Sequence, residues 1–169
     1  AARRFVTPVR GYVSGIGKRY RAFRRERQGE GTWYESSGFD QRDVHPLELD
    51  VILLATLKAG NELINRRNVQ RAIDSPQWAP LKAVMSCYRH QILVDEATDF
   101  SPLQLACMNA LAHPRTRSFF ACGDFNQRLT TWGVRSPDAL SWSLPSLEIR
   151  EITVAYRQSR QLNDLARDI

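Results

Sequence analysis

The sequence is poor in the features that mark membrane, secreted and metal-clustered proteins. No stretch approaches the ~18 consecutive apolar residues of a membrane span. The longest apolar run, Val51 to Leu57, is interrupted by Thr56 and reads as part of a buried helix. The first residues, Ala1-Ala2-Arg3-Arg4-Phe5, have no apolar signal-peptide core. Cysteine is scarce. Cys87, Cys107 and Cys122 show no metal-ligand spacing, and an odd, sparse set fits a reducing compartment. The expectation for all three is a buried structural thiol. No internal repeat or low-complexity tract is visible.

What is present is an ordinary core-forming composition with one unusual charge distribution. The 169 residues suit a single domain or slightly more, with 43% hydrophobic and 25% charged residues. The net charge of +6 is uneven: residues 1 to 30 hold nine Lys or Arg against two Glu, and the remainder sums to −1. A near-neutral domain with one basic segment points toward a polyanion, the alternative being a solvated helix face.

Hydrophobic periodicity places a helix over residues 15 to 28, with Ile16, Tyr20 and Phe23 at helical spacing among Lys18, Arg19, Arg21, Arg24, Arg25 and Arg27. Residues 29 to 43 read as a loop that carries Trp33, Tyr34 and Phe39. Pro46 opens a helix to about Asn68, with an apolar face of Leu47, Val51, Leu54, Leu57, Leu63 and Ile64. Ser75-Pro76 and Ala79-Pro80 break the pattern. A helix from Leu81 to about Tyr88 precedes a strand over Gln91 to Val94. Pro102 opens a helix ending near Ala112, and Ser118 to Cys122 forms a second strand. Ser136-Pro137 starts a short helix. Glu151 to Val154 makes a third strand, with a last helix from Ser159. Strands alternating with helices predict an α/β fold with a mostly parallel sheet.

The chemistry concentrates where strands end. An apolar strand closing in Asp95-Glu96 carries a cost unless the charges find partners. In nucleoside-triphosphate enzymes the first such carboxylate holds Mg²⁺ and the second polarises the attacking water. The alternative is a helix start whose free N–H groups the acids satisfy. Ala121-Cys122-Gly123-Asp124-Phe125-Asn126-Gln127 puts a glycine turn and polar groups after the second strand, with Trp132 five residues on. Val154-Ala155-Tyr156-Arg157 sets an aromatic ring beside a guanidinium. Such a pair can stack on a purine and stabilise a transferring phosphoryl group.

In this order and spacing, the segments Val94-Asp95-Glu96-Ala97-Thr98-Asp99 with Pro102-Leu103-Gln104, Gly123-Asp124-Phe125-Asn126-Gln127 through Trp132, and Ile152 to Ser159 resemble motifs II, III and IV of UvrD/Rep-like superfamily 1 DNA helicases. The resemblance covers residues 91 to 169. It implies a partial RecA-like P-loop NTPase motor domain with a helical inserted subdomain. Residues 1 to 80 would be the mostly helical, basic insertion, 81 to 150 part of the first motor domain, and 151 to 169 the start of the second. It also implies ATP and Mg²⁺ as cofactors, with Asp95 and Glu96 at the metal and Glu96 as catalytic base. Gln127 would contact the γ-phosphate, Tyr156 would stack on adenine, and Arg157 would act as an arginine finger. Trp132 would stack on a base of single-stranded or partly duplex DNA, with Lys18, Arg19, Arg24 and Arg25 as further nucleic-acid contacts. The remainder of the same polypeptide would be a partner, in a cytoplasmic, nucleoid-associated setting. The alternative is a non-catalytic nucleic-acid-binding or scaffold module derived from a helicase. The sequence departs from the family at Thr98, where Gln is usual, and at Gly133-Val134-Arg135, where Arg-Gly usually follows the Trp. It contains no G-x-x-x-x-G-K-[ST] loop: Gly15-Ile16-Gly17-Lys18-Arg19 has Tyr12 at the first glycine position and Arg19 at the Ser/Thr position. The chain alone is therefore not expected to hydrolyse ATP.

Overall fold

The computed structural model describes residues 9–30, 43–127 and 129–152, with Gln161. Within them the chain is mixed α/β, mostly helical, with a two-stranded parallel sheet. A wide π-type turn over Arg10–Ser14 leads into α1, Ile16–Gly29. Helix α2 runs Pro46–Ile64 and α3 runs Arg67–Ala72, so the single helix expected to Asn68 is split near Asn65 and Arg66. A 3₁₀ turn, Pro76–Trp78, feeds α4, Ala79–Cys87. Pro80 does not interrupt that helix. It stands in its first turn, where a missing N–H costs nothing. Strand β1 is Gln91–Val94, α5 is Pro102–Ala110, β2 is Ser118–Ala121 and α6 is Pro137–Ser143.

Three apolar clusters organise these elements. Val9, Val13, Leu63, Val69, Trp78 and Leu81 join the first turn to α2, α3 and α4. Leu57, Tyr88 and Ala110 tie α2 to α5, helped by hydrogen bonds from Cys107 Sγ to Asp50 O (3.2 Å) and from Asn61 Nδ2 to Ala110 O (3.3 Å). Val94, Ala97, Leu105, Ala106, Val134 and Leu144 form the core beneath the sheet. Of the apolar face read for α2, Leu57 and Leu63 are buried and Leu54 and Ile64 partly so, while Val51 is exposed; the side chain of Leu47 lies outside the described set.

The sheet has register Gln91–Ser118, Ile92–Phe119, Leu93–Phe120 and Val94–Ala121. Its strands alternate. Ile92, Val94, Phe119 and Ala121 pack on the core, whereas Leu93 and Phe120 are 67% and 58% exposed. Parallel sheets are ordinarily covered on both faces. Glu151 and Ile152 have no regular structure, and the rest of the expected third strand and, apart from the helical Gln161, the last helix lie outside the described residues, as do Trp33, Tyr34 and Phe39. Among the described residues no helix is long and apolar enough to cross a membrane.

Candidate functional site

Parallel pairing sends β1 and β2 out of the sheet at the same edge, so the segments after Val94 and after Ala121 emerge side by side. Open α/β sheets bind ligands at this edge. The ladder continues past both strands: Cys122 N–H donates to Val94 O (2.9 Å), and Ala97 N–H donates to Cys122 O (2.8 Å). Asp95 and Glu96 sit inside that exchange and are both exposed. The Glu96 amide donates to Asp95 Oδ1 (3.0 Å), and so does the Cys122 thiol (3.2 Å).

Glu96 adopts left-handed backbone, φ 49° and ψ 44°. A side chain there costs about 1–3 kcal/mol and persists because the surroundings dictate it. Those surroundings are a 3₁₀ turn, Ala97–Asp99, whose Ala97 and Thr98 are buried. Thr98 Oγ1 donates to Asp124 O (3.1 Å). Gly123 lies against the turn, since a Cβ there would meet Thr98 N at 2.9 Å and Ala97 N at 3.0 Å. Thr98 is thus a tie between the two loops. Beyond it, Ser101 and Gln104 form a reciprocal capping box at the start of α5.

The second loop is folded on Asp124. Its Oδ1 accepts the Asn126 amide (2.8 Å) and its Oδ2 accepts the Gln127 side-chain amide (3.0 Å). Gln127 is exposed and on the same sheet edge as Asp95. Further along, Asp99 Oδ1 accepts Leu129 N–H (2.8 Å), Asp99 O accepts Thr130 Oγ1–H (2.9 Å), and Phe100 O accepts Val134 N–H (3.1 Å). Trp132 falls between these anchors with 62% of its surface exposed.

Two carboxylates make a sparse donor set for a metal. That fits Mg²⁺, which keeps several waters and takes one or two protein carboxylates plus substrate phosphates. Among the described residues no group of three or more His, Cys, Asp or Glu is placed to hold a metal. Asp95, as acceptor of the thiol proton, is the main cause holding Cys122 above the usual thiol range.

The remaining site residues divide. Lys18, Arg19 and Arg25 are exposed on α1. Arg24 corrects the sequence reading: it is 1% exposed, and its Nη1 donates to Glu48 Oε2 at 2.7 Å, so it belongs to the α1–α2 interface and not to a nucleic-acid face. A lone Arg at an amphipathic boundary is indistinguishable from its neighbours until its partner, 24 residues on, is placed. The cysteine expectation holds for Cys107 alone; Cys87, the last residue of α4, and Cys122, just past β2, are exposed. Tyr156 and Arg157 lie outside the described residues. Sequence reasoning missed Asp99 and Asp124 as loop organisers. Their signal was present as Asp residues at strand and turn ends, where Asp side chains accept local amides.

A groove of about 510 Å³ lies elsewhere, between α1 and α2, lined by Tyr12, Arg19, Tyr20, Phe23 and Lys58 among others. Its lining includes neither Asp95 nor Glu96. No protein-family model, curated protein or solved structure matches the chain.

Proposed function

We propose that this chain is part of an ATP-dependent motor acting on single-stranded DNA, with a partial RecA-like domain around β1 and β2. The observation that carries the reading is the shared sheet edge: the segments that follow Val94 and Ala121 leave parallel neighbours and are hydrogen-bonded to each other, the Cys122 thiol to Asp95 and the Thr98 hydroxyl to Asp124 O. Residues 1 to 80 would be the inserted subdomain, 81 to 150 part of the first motor domain, and 151 to 169 the start of the second.

In this reading Mg²⁺ supplies charge neutralisation for the nucleotide phosphates. Asp95 would hold it, its carboxylate accepting from the Glu96 amide and the Cys122 thiol. Glu96 takes the proton of the attacking water. Gln127, bonded to Asp124 in this structure, would meet the γ-phosphate, and Tyr156 and Arg157 would act on the adenine and the transferring phosphoryl group. Trp132 stacks on a base, a contact worth ~1–3 kcal/mol. The route between the two ends runs through Asp99, which touches both the turn after Glu96 and the loop around Trp132.

The test is DNA-stimulated ATP hydrolysis by a polypeptide that joins this chain to a phosphate-binding loop, beside its Glu96→Gln variant. A general base contributes about 10²–10⁴ in rate, so the variant should lose that much while still binding nucleotide. Equal turnover by the two proteins would remove Glu96 from the chemistry.

A further inference from the structure

The basic segment looks uniform in the sequence, but the structure sorts its cations into engaged and unengaged sets. Arg24 is buried on Glu48. Arg19 lies over the Tyr12 ring, 5.6 Å from its centroid. Arg27 bonds Glu30 at 2.7 Å and covers the Phe23 ring at 5.2 Å. On α1, exposed Lys18 and Arg25 and half-buried Arg21 make no hydrogen bond or ion pair among the described residues.

Those three are not scattered. Spacings of three, four and seven residues place them on one helix face. The rise from Lys18 to Arg25 is about 10 Å. Ile16, Arg19, Tyr20 and Phe23 take the opposite side, toward α2 and the groove. The one acid within α1, Glu26, is turned about 100° from Arg25. Like charges at these spacings repel and weaken a helix, so α1 carries an unfavourable stripe that a polyanion relieves.

We propose that Lys18, Arg21 and Arg25 form a phosphate-backbone-binding face for single-stranded nucleic acid, and that Arg19, Arg24 and Arg27 serve the fold. The proposal rests on the nucleic-acid part of the reading above and not on ATP hydrolysis. A membrane surface fits less well. Helices that lie on lipid set large apolar residues beside their cations, whereas the residues flanking this stripe are Ser14, Gly17, Ala22 and Gln28.

The experiment titrates a fluorescein-labelled oligo-dT with the 169-residue chain across a salt series, following anisotropy. Each single-strand phosphate contact contributes about 0.7 to the slope of log affinity against log salt, so Lys18→Ala/Arg21→Ala/Arg25→Ala should flatten it by about 2. Arg19→Ala/Arg27→Ala should keep the original slope. Far-UV circular dichroism of the triple variant should match the parent, since alanine favours the helix. An unchanged slope in the triple variant overturns the proposal, as does equal flattening by Arg19→Ala/Arg27→Ala. So does an absence of oligo-dT binding at low salt, or tighter binding to phosphatidylcholine vesicles containing phosphatidylserine. ATP hydrolysis, measured separately, bears on the motor reading and not on the stripe.

Discussion

The Asp99 carboxylate accepts the Leu129 amide at 2.8 Å, and this bond joins the turn behind Glu96 to the loop that displays Trp132. A hydrogen bond to a charged acceptor contributes about 1.5–3 kcal/mol. Asp99→Ala should therefore speed hydrogen exchange at the Leu129 amide by tenfold or more, on the order of that energy. Asp99→Asn, which keeps an acceptor, should fall between. Exchange unaltered in Asp99→Ala would mean that other contacts hold the loop.

Glu96 offers a second measurement. Glycine occupies left-handed backbone without the Cβ penalty, so Glu96→Gly should be more stable than Glu96→Ala by about 1 kcal/mol. Urea denaturation of the two variants decides it. A gap between the two variants would measure the cost of holding a Cβ in left-handed backbone at a candidate catalytic position.

Two glycines should respond oppositely to alanine. Gly123→Ala forces a Cβ against the backbone of Thr98 and Ala97 and should cost about 1–3 kcal/mol. Gly17 lies in the first turn of α1 with open space around it, so Gly17→Ala should gain up to about 1 kcal/mol. Thermal melts of both variants provide the comparison, and destabilisation of equal size would contradict the packing described at the sheet edge.

The Arg24–Glu48 pair gives a test of the α1–α2 interface. Glu48 Oε1 is buried without a hydrogen-bond partner among the described residues, and Oε2 accepts from Arg24 and from the His45 amide, so Arg24 is the cation that balances the buried anion. Breaking one side of a buried pair costs about 3–5 kcal/mol. Arg24→Leu should lose about that much stability, and Arg24→Leu/Glu48→Leu should recover most of it. Oligonucleotide affinity at matched stability should be unaffected by the double change.

Alkaline pH should weaken the fold over two overlapping ranges. Burial pushes the Cys107 thiol up to about 11 and the Tyr88 phenol up to about 12, from ordinary values of 9.0 and 10.0. Both groups stay neutral in the fold while the unfolded chain releases its protons sooner. Their contribution is thus complete below pH 9, falls between 9 and 11 for Cys107, and falls between 10 and 12 for Tyr88. Urea midpoints across that range should decline, and Cys107→Ala/Tyr88→Phe should decline less steeply. Under native conditions exposed Cys87 should react readily with a thiol reagent, Cys122 more slowly because Asp95 holds its proton, and Cys107 should not react.

Local signals were legible in this sequence and pairings were not. Strand β1 came out at its observed bounds because four residues of strand-forming character run into two carboxylates. The start of α5 was marked by Pro102, although the Ser101–Gln104 cap beside it went unread. The split of the long helix near Arg66 has no proline or glycine to announce it. The difference between Arg24 and Arg25 is set by Glu48, far along the chain. The left-handed backbone of Glu96 follows from Gly123 and Thr98 closing on its turn, which a linear reading cannot assemble.

Along the four residues of β1, neighbouring side chains answer to different audiences. Ile92 meets the chain's own interior, and Leu93, opposite Phe120 in the register, meets whatever surrounds the molecule. A polar residue at position 92 would be felt as lost folding energy at any dilution. The same residue at position 93 would be felt mainly as a change in how the protein behaves when crowded with copies of itself.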